Sequence, residues 1–234
     1  EIGTEEIPAG YIVPALKQMK ELFEEQVKKN RLSIDSIHTT GTPRRLVLFA
    51  SGLPQNQEDI VQEVKGPSAK VAFDQSGAPT KAAVGFASSQ GVKAEEMIVK
   101  DTSKGKYCFA VKEIEGKKIF DLLPEMLTSV ITSINFPKSM RWKSDKLYFA
   151  RPIRTIMALF DKDVVNLELS GLKADRKTSG HQFLSDNVLD ILDADFELYK
   201  EQLKGEKVIV EIDERRDIIR KEINSLLSAY GTTL

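Results

Sequence analysis

Two stretches of this chain, residues 10–30 and 117–136, carry apolar residues at spacings of three and four, the period of an amphipathic helix. In the first, Ile12, Leu16, Met19, Phe23 and Val27 fall on one stripe. In the second, Leu123, Met126, Leu127, Val130, Ile131 and Ile134 share a face suited to lie flat on a sheet. Proline is tolerated in a first helical turn, so Pro14 puts the first helix start near Tyr11. Elsewhere the apolar runs are short and bounded by glycine and proline, the mark of strands joined by turns. Residues 46–49 form one such strand after a Gly-Thr-Pro turn, and residues 54–78 read as a long polar connection. Thr80 can cap a short helix that ends at Gly91. The runs "EEMIVKDTSKG" and "KYCFAVKEIEG" read as two strands around a Ser-Lys-Gly turn,. From Lys146 onward the runs are β-rich and broken at Pro152 and at Asp161-Lys162-Asp163. The class is α+β, an antiparallel sheet flanked by helices, and not a βαβ alternation.

After "SGHQFLSDN" the character changes: "DADFELYKEQLKG" and "DERRDIIRKEINSLLSAYG" read as charged amphipathic helices around one short strand, "KVIVEI". This divides the chain into an α+β domain over 1–205 and the start of a helical module over 206–234. Beginning at Glu1 and stopping just after a helix, the sequence reads as part of a longer protein. The single cysteine, Cys108, gives no internal disulfide and no thiol cluster for zinc,. It sits in an apolar strand pattern and reads as a small core residue. A cytoplasmic location is expected. No apolar run approaches the roughly 20 residues that span a bilayer.

From Lys138 to Arg154 six cationic side chains, Lys138, Arg141, Lys143, Lys146, Arg151 and Arg154, face one acid, Asp145. The same segment holds Trp142, Tyr148 and Phe149, and Trp142 is the only tryptophan. Arg44 and Arg45 in "GTPRRL", and Arg176 and Lys177 in "ADRKTSGH", add two short basic sites beside turns. Arginines at rigid turns suit bidentate phosphate contacts, and a nearby ring offers a stacking surface for an unpaired base. The competing reading is a solvated charged face, with Trp142 capping the core. With 34 basic and 35 acidic residues the net charge is -1, so any nucleic-acid contact is local.

Glu1, Glu5 and Glu6 cluster near the start; they read as an acid pair in a cleft or, for Glu5 and Glu6, as charges complementing the positive end of the first helix. His38 and His181 are the only histidines, and neither has a second ligand within a helical turn for a metal site. His38 reads as a strand or turn residue. His181, in "KTSGHQF", reads either as a functional loop residue or as a hydrogen-bonded structural one. The chain has no Gly-x-Ser-x-Gly elbow, no Walker loop and no Gly-x-Gly-x-x-Gly run, so neither a catalytic nucleophile nor ATP binding is expected.

Six segments, "EIGTEEIPAGYIVPAL", "TTGTPRRLVLFASGL", "VKGPSAKVAFDQSGAPTKAAVGFASSQGV", "FPKSMRW", "FARPIRTIMALF" and "KTSGHQFL", occur in an order and spacing that resemble the β subunit of bacterial glycyl-tRNA synthetase. The resemblance spans essentially the whole chain. It implies a two-part ligase in which a separate α subunit makes glycyl-adenylate, so that ATP and magnesium are expected there and no catalytic, metal or cofactor residue here. It also implies an α2β2 assembly, glycine tRNA as a partner, and a β subunit that supplies most of the tRNA recognition. Members of the family continue into an HD-type helical domain and an anticodon-binding domain, and their amino-terminal part resembles the B3/B4 fold of the phenylalanyl-tRNA synthetase β subunit. That relative hydrolyses mischarged tRNA, which makes an editing deacylase with His181 as acid/base one alternative; a purely structural interaction module anchored by Met140 and Trp142 is another. Where the family pattern has arginine after His181, this chain has Gln182. The residues assigned to tRNA or subunit contact are Arg44, Arg45, Lys138, Arg141, Trp142, Lys143, Arg151, Arg154, Arg176 and His181.

Overall fold

Ile12, Ala15, Leu16, Met19, Phe23 and Val27 are buried along one face of a helix over Ala9–Lys29, the stripe that their spacing predicts. The helix starts two residues ahead of Tyr11, which puts Pro14 in its second turn. The bond that proline omits is the one to the carbonyl of Gly10, an exposed residue, so water can serve that group. The structure is a computed structural model that describes residues 1–74, 76–103, 105–142 and 147–229, excluding the side chains of Trp142 and Ala229.

In chain order the elements are β1 (Ile2–Thr4), α1 (Ala9–Lys29), β2 (Ser36–Thr42), β3 (Arg45–Ser51), β4 (Ile60–Ser68), α2 (Ala69–Ala72), α3 (Lys81–Gln90), β5 (Ile98–Thr102), β6 (Gly105–Ile114) and α4 (Ile119–Ser133). Short strands follow: β7 (Met140–Trp142), β8 (Leu147–Phe149), β9 (Ile153–Ile156), β10 (Leu159–Phe160), β11 (Asp163–Val164), β12 (Glu168–Leu169), β13 (Leu172–Lys173), β14 (Lys177–Ser179) and β15 (Val188–Asp190). Helices α5 (Phe196–Gly205) and α6 (Ile212–Ala229) close the described chain. The residues form two compact units, 1–55 with 118–234, and 56–117.

In the first unit a four-stranded sheet runs in the order β2-β3-β1-β9, antiparallel throughout. Strand alternation sends Leu46 to one face, where Phe23, Met126, Val130 and Phe149 bury with it, and Val47 to the other, against Ile191, Tyr199, Leu203 and Val210,. Both helical stripes, α1 and α4, cover the first face. The expected strand "KVIVEI" is absent as a ladder. Its carbonyls at Ile209 and Val210 accept from the Arg215 guanidinium, and that of Val210 also from the Thr40 hydroxyl, so side chains supply the partners a strand would need.

The second unit is a three-stranded antiparallel sheet, β4-β6-β5, with Ala72, Ala83, Ala87, Met97 and Cys108 as its core. The Thr80 hydroxyl caps α3 at Ala83, Gly91 takes the left-handed conformation at its end, and burial pushes the Cys108 thiol up. Where a long polar connection is expected, β4 pairs along β6 from Ile60↔Ile114 to Ser68↔Tyr107. Its sequence hides it because five of its residues are half-buried and none is buried, so pairing and not an apolar alternation defines it. Gly66 has no side chain because a Cβ there would meet the Phe86 ring at 2.5 Å. The α+β class holds, with the strands shared among a four-stranded sheet, a three-stranded sheet and two-stranded ribbons, since turns such as 161–162 and 170–171 interrupt them every few residues.

Candidate nucleic-acid interface

The loop between β1 and α1 is fastened to two proline turns by its backbone. Thr4 N–H donates to the Arg44 carbonyl at 2.8 Å, Ile7 N–H to the Pro43 carbonyl at 2.6 Å and Glu5 N–H to the Pro152 carbonyl at 3.0 Å. Fixed proline torsions on one side and three hydrogen bonds on the other bring Arg44, Arg151 and Arg154 around Glu5 and Glu6. Arg154 Nε donates to Glu5 Oε1 at 2.7 Å, with Nη2 2.6 Å from the same oxygen. Arg44 Nη1 reaches Glu5 Oε2 at 3.4 Å. These bonds and charges, Arg154 first and then Arg44, hold the Glu5 carboxyl below the usual range. Two guanidinium groups on one carboxylate leave an excess positive charge, and the Arg154 side chain is 63% exposed.

Arg151 lies outside β9, across Pro152, so alternation along a strand does not relate it to Arg154,. It points its Nε at the Glu6 carbonyl, 3.1 Å away, and its Nη1 at the Met140 sulfur, 3.6 Å away. That contact ties the cluster to the β7–β8 ribbon. In the ribbon Met140 opposes Phe149, Arg141 opposes Tyr148 and Trp142 opposes Leu147. Phe149 and Leu147 are buried in the core, while Tyr148 is 53% exposed and Arg141 is exposed with it. Residues opposite each other share a ribbon face, so the guanidinium and the phenol ring lie on the outer side together. Lys138, just ahead, is exposed too. Lys143 and the Trp142 side chain fall outside the described residues.

Comparison with known proteins gives the arrangement a family. The family profile described as "Glycyl-tRNA synthetase beta subunit" matches residues 1–234. The chain belongs to the glycyl-tRNA synthetase β-subunit family. It is 44% identical to the glycine–tRNA ligase β subunit of Moorella thermoacetica over 231 residues, which are 99% of this chain and 33% of that protein. Identity is 42% with the Desulforamulus reducens protein of the same name and 41% with that of Geobacter metallireducens, again over 99% of this chain and 33% of each. The chain thus spans about a third of the length of these curated relatives.

Within this β-subunit family member the remaining basic residues stand apart from the ribbon. Arg45 is 6% exposed, which corrects its assignment to a surface contact. Its Nη2 donates to the Ser179 carbonyl at 2.8 Å and its Nη1 lies 3.7 Å from the buried Glu1 carboxylate. Glu1 also accepts from the Thr178 hydroxyl at 2.7 Å and from the Tyr199 phenol. Burial, and then Glu1, pushes the Tyr199 hydroxyl pKa well up. Arg45 sits inside because it opens β3 two residues ahead of Val47, and alternation puts it on the same face as Val47, against which Tyr199 is buried,. Arg176 donates Nη2 to the Lys162 carbonyl at 3.2 Å. His181 uses its Nδ1 to accept from the Phe183 N–H at 3.2 Å and its own N–H to reach the Glu206 carbonyl at 2.9 Å. The Glu206 carboxylate takes the Ser185 hydroxyl and the Asn187 amide, which together lower its pKa. His38 is a strand residue, bonded through Nε2 to Glu211 at 2.8 Å and edge-on to Phe196.

Sequence spacing could not reveal the Glu1–Tyr199 bond, whose partners are 198 positions apart. Among the described residues no group of three or more His, Cys, Asp or Glu side chains is placed to hold a metal ion, and no helix is long and apolar enough to cross a membrane.

Proposed function

We propose that this chain is the amino-terminal part of the β subunit of a two-subunit glycine–tRNA ligase and that it supports tRNA recognition. The observation that carries the reading is the exposed Arg141–Tyr148 pair next to the Arg44, Arg151 and Arg154 cluster, in a member of this family. A guanidinium can take a phosphate in bidentate fashion while the ring stacks an unpaired base. Adenylate chemistry, with its ATP and magnesium, belongs in this proposal to a separate α subunit, in a cytoplasmic α2β2 assembly. Binding of glycine tRNA across a salt series is the test. Arg141→Ala should weaken binding and lower the slope of log affinity against log salt by about one unit, as for one lost phosphate contact. Tyr148→Ala should weaken binding and leave the slope in place, because a stacking contact releases no counterion. Wild-type affinity that stays flat with salt would remove the reading.

Assembly with the α subunit rests on a different surface. Phe183 and Leu184, 80% and 66% exposed beside His181, are large apolar side chains on a loop held by Glu206, the kind of anchor a protein interface buries. Replacing both by alanine should reduce α retained on an immobilised β subunit while tRNA binding to β alone is unchanged. Full retention of α would move the interface elsewhere.

A further inference from the structure

Register assigns a side to each residue of the β4-β6-β5 sheet. Cys108 and Ala110 of the central strand β6 are fully buried, and Cys108 shares its core with Ala72 of α2 and with Ala83 and Ala87 of α3. Gly66 of β4 turns to the same side, where the Phe86 ring of α3 lies close. Alternation therefore sends Tyr107, Phe109 and Val111 to the other face, and all three are half-buried there. Residues directly opposite each other share a face. Lys65 of β4 and Ile98 of β5 flank Phe109, and Lys100 of β5 stands opposite Tyr107.

Two rings two residues apart on a strand stand about 6.8 Å apart, enough for each to carry a base of its own. A lysine reaches this pair from either edge of the sheet. Lys65 Nζ lies 3.5 Å from the centroid of the Tyr107 ring. Lys100 Nζ donates to both oxygens of Glu63, at 2.5 and 2.7 Å. Lys100 and Glu63 belong to opposite edge strands, so their bond crosses above β6. Their side chains are nonetheless 45% and 40% exposed, which leaves the pair open to exchange with a solvent-borne anion. The remaining acid on this face among the described residues, Glu113, lies at the far end of β6, opposite Val61. Positive charge is thus gathered beside the rings. A protein partner would have to bury both ammonium groups, and lysine is depleted from the centre of protein interfaces. A nucleotide meets the ring with its base and the lysine with its phosphate.

We propose that the open face of this sheet is a platform for unpaired RNA nucleotides, on which Tyr107 and Phe109 each stack a base while Lys65 and Lys100 take phosphates. Lys100 exchanges the Glu63 carboxylate for a phosphate as the RNA arrives, so Glu63 competes with the ligand. The inference rests on RNA being the ligand of this chain, as proposed above, and places a second contact on a sheet separate from the Arg141–Tyr148 pair.

The test uses the full chain with glycine tRNA and with an oligoadenylate about eight nucleotides long, each across a salt series. In the wild type the ring protons of Tyr107 and Phe109 should move upfield as oligoadenylate is added. Tyr107→Leu and Phe109→Leu should each weaken oligoadenylate binding about fivefold or more and leave the salt slope in place. Lys65→Gln should lower the slope of log affinity against log salt by about 0.7, and Glu63→Gln should tighten binding. Ring resonances that stay in place at saturating oligoadenylate overturn the proposal, whatever the leucine variants do to the fold. Loss of α subunit retention in both leucine variants, with oligoadenylate affinity unchanged, also overturns it and assigns the face to a protein. Salt-dependent tRNA binding that Arg141→Ala weakens, with no binding of oligoadenylate, overturns the platform and leaves the tRNA reading standing.

Discussion

Glu5 carries two guanidinium groups, and its protonation reports on both. Its folded pKa lies below the unfolded value, with Arg154 the first cause. A carboxylate shifted in this direction adds stability above its unfolded pKa and loses it as pH falls through the folded one. The clasp between the β1–α1 loop and the start of β9 is therefore present at neutral pH and released in acid. Arg154→Ala should move the Glu5 titration, followed by carboxyl carbon NMR, back up toward the ordinary range, and Arg44→Ala should move it less, as its 3.4 Å contact is longer. Equal shifts for the two variants would contradict this ordering. Because the pair is exposed to solvent, its loss should change stability little.

At the scale of elements, Arg215 bonds α6 to the sheet. Arg215 sits in its first turn and donates to the carbonyls of Ile209, Val210 and Gly41, which crosslinks the extended segment before α6 to the end of β2. Arg215→Ala should cost about 2–3 kcal/mol, the scale for hydrogen bonds from a charged donor partly shielded from water, measured by denaturant unfolding. Arg215→Lys should recover only part of the loss, since an ammonium lacks the planar fork that meets several carbonyls. Hydrogen exchange on the same variant should show the amides of residues 208–211 quickening before those of the sheet. Wild-type stability in the alanine variant would refute the crosslink.

For the whole molecule the division into units is the main consequence. The Ile119 N–H donates to the Gln55 carbonyl at 2.9 Å, so the first unit brings together the two points at which residues 56–117 leave and return. Each unit has its own buried core, which is the condition for independent folding. Excising 56–117 and joining 55 to 118 through a short Gly-Ser linker should leave a cooperatively unfolding first unit with its Tm within a few degrees of the parent, by circular dichroism. A product that melts without a cooperative transition would mean that the inserted unit is required for the fold of the first.

The sequence by itself determined the elements whose signals are local. The stripes of α1 and α4 are written in three- and four-residue spacings, Thr80 and Gly91 mark the ends of α3, and the β5–β6 hairpin declares its turn. The six segments likewise carried the family resemblance without coordinates. Tertiary structure alone decided what depends on distant partners. β4 exists because β6 pairs with it, and residues 207–211 fail to become a strand because Arg215 and Thr40 occupy their carbonyls. The candidate interface was legible as basic residues beside prolines. That Arg44 and Arg154 share Glu5, 39 and 149 positions away, while the adjacent Arg45 turns inward to Glu1, was not. Periodicity reports which face of its own element a side chain takes, and contacts between elements form only after the chain closes loops of such length.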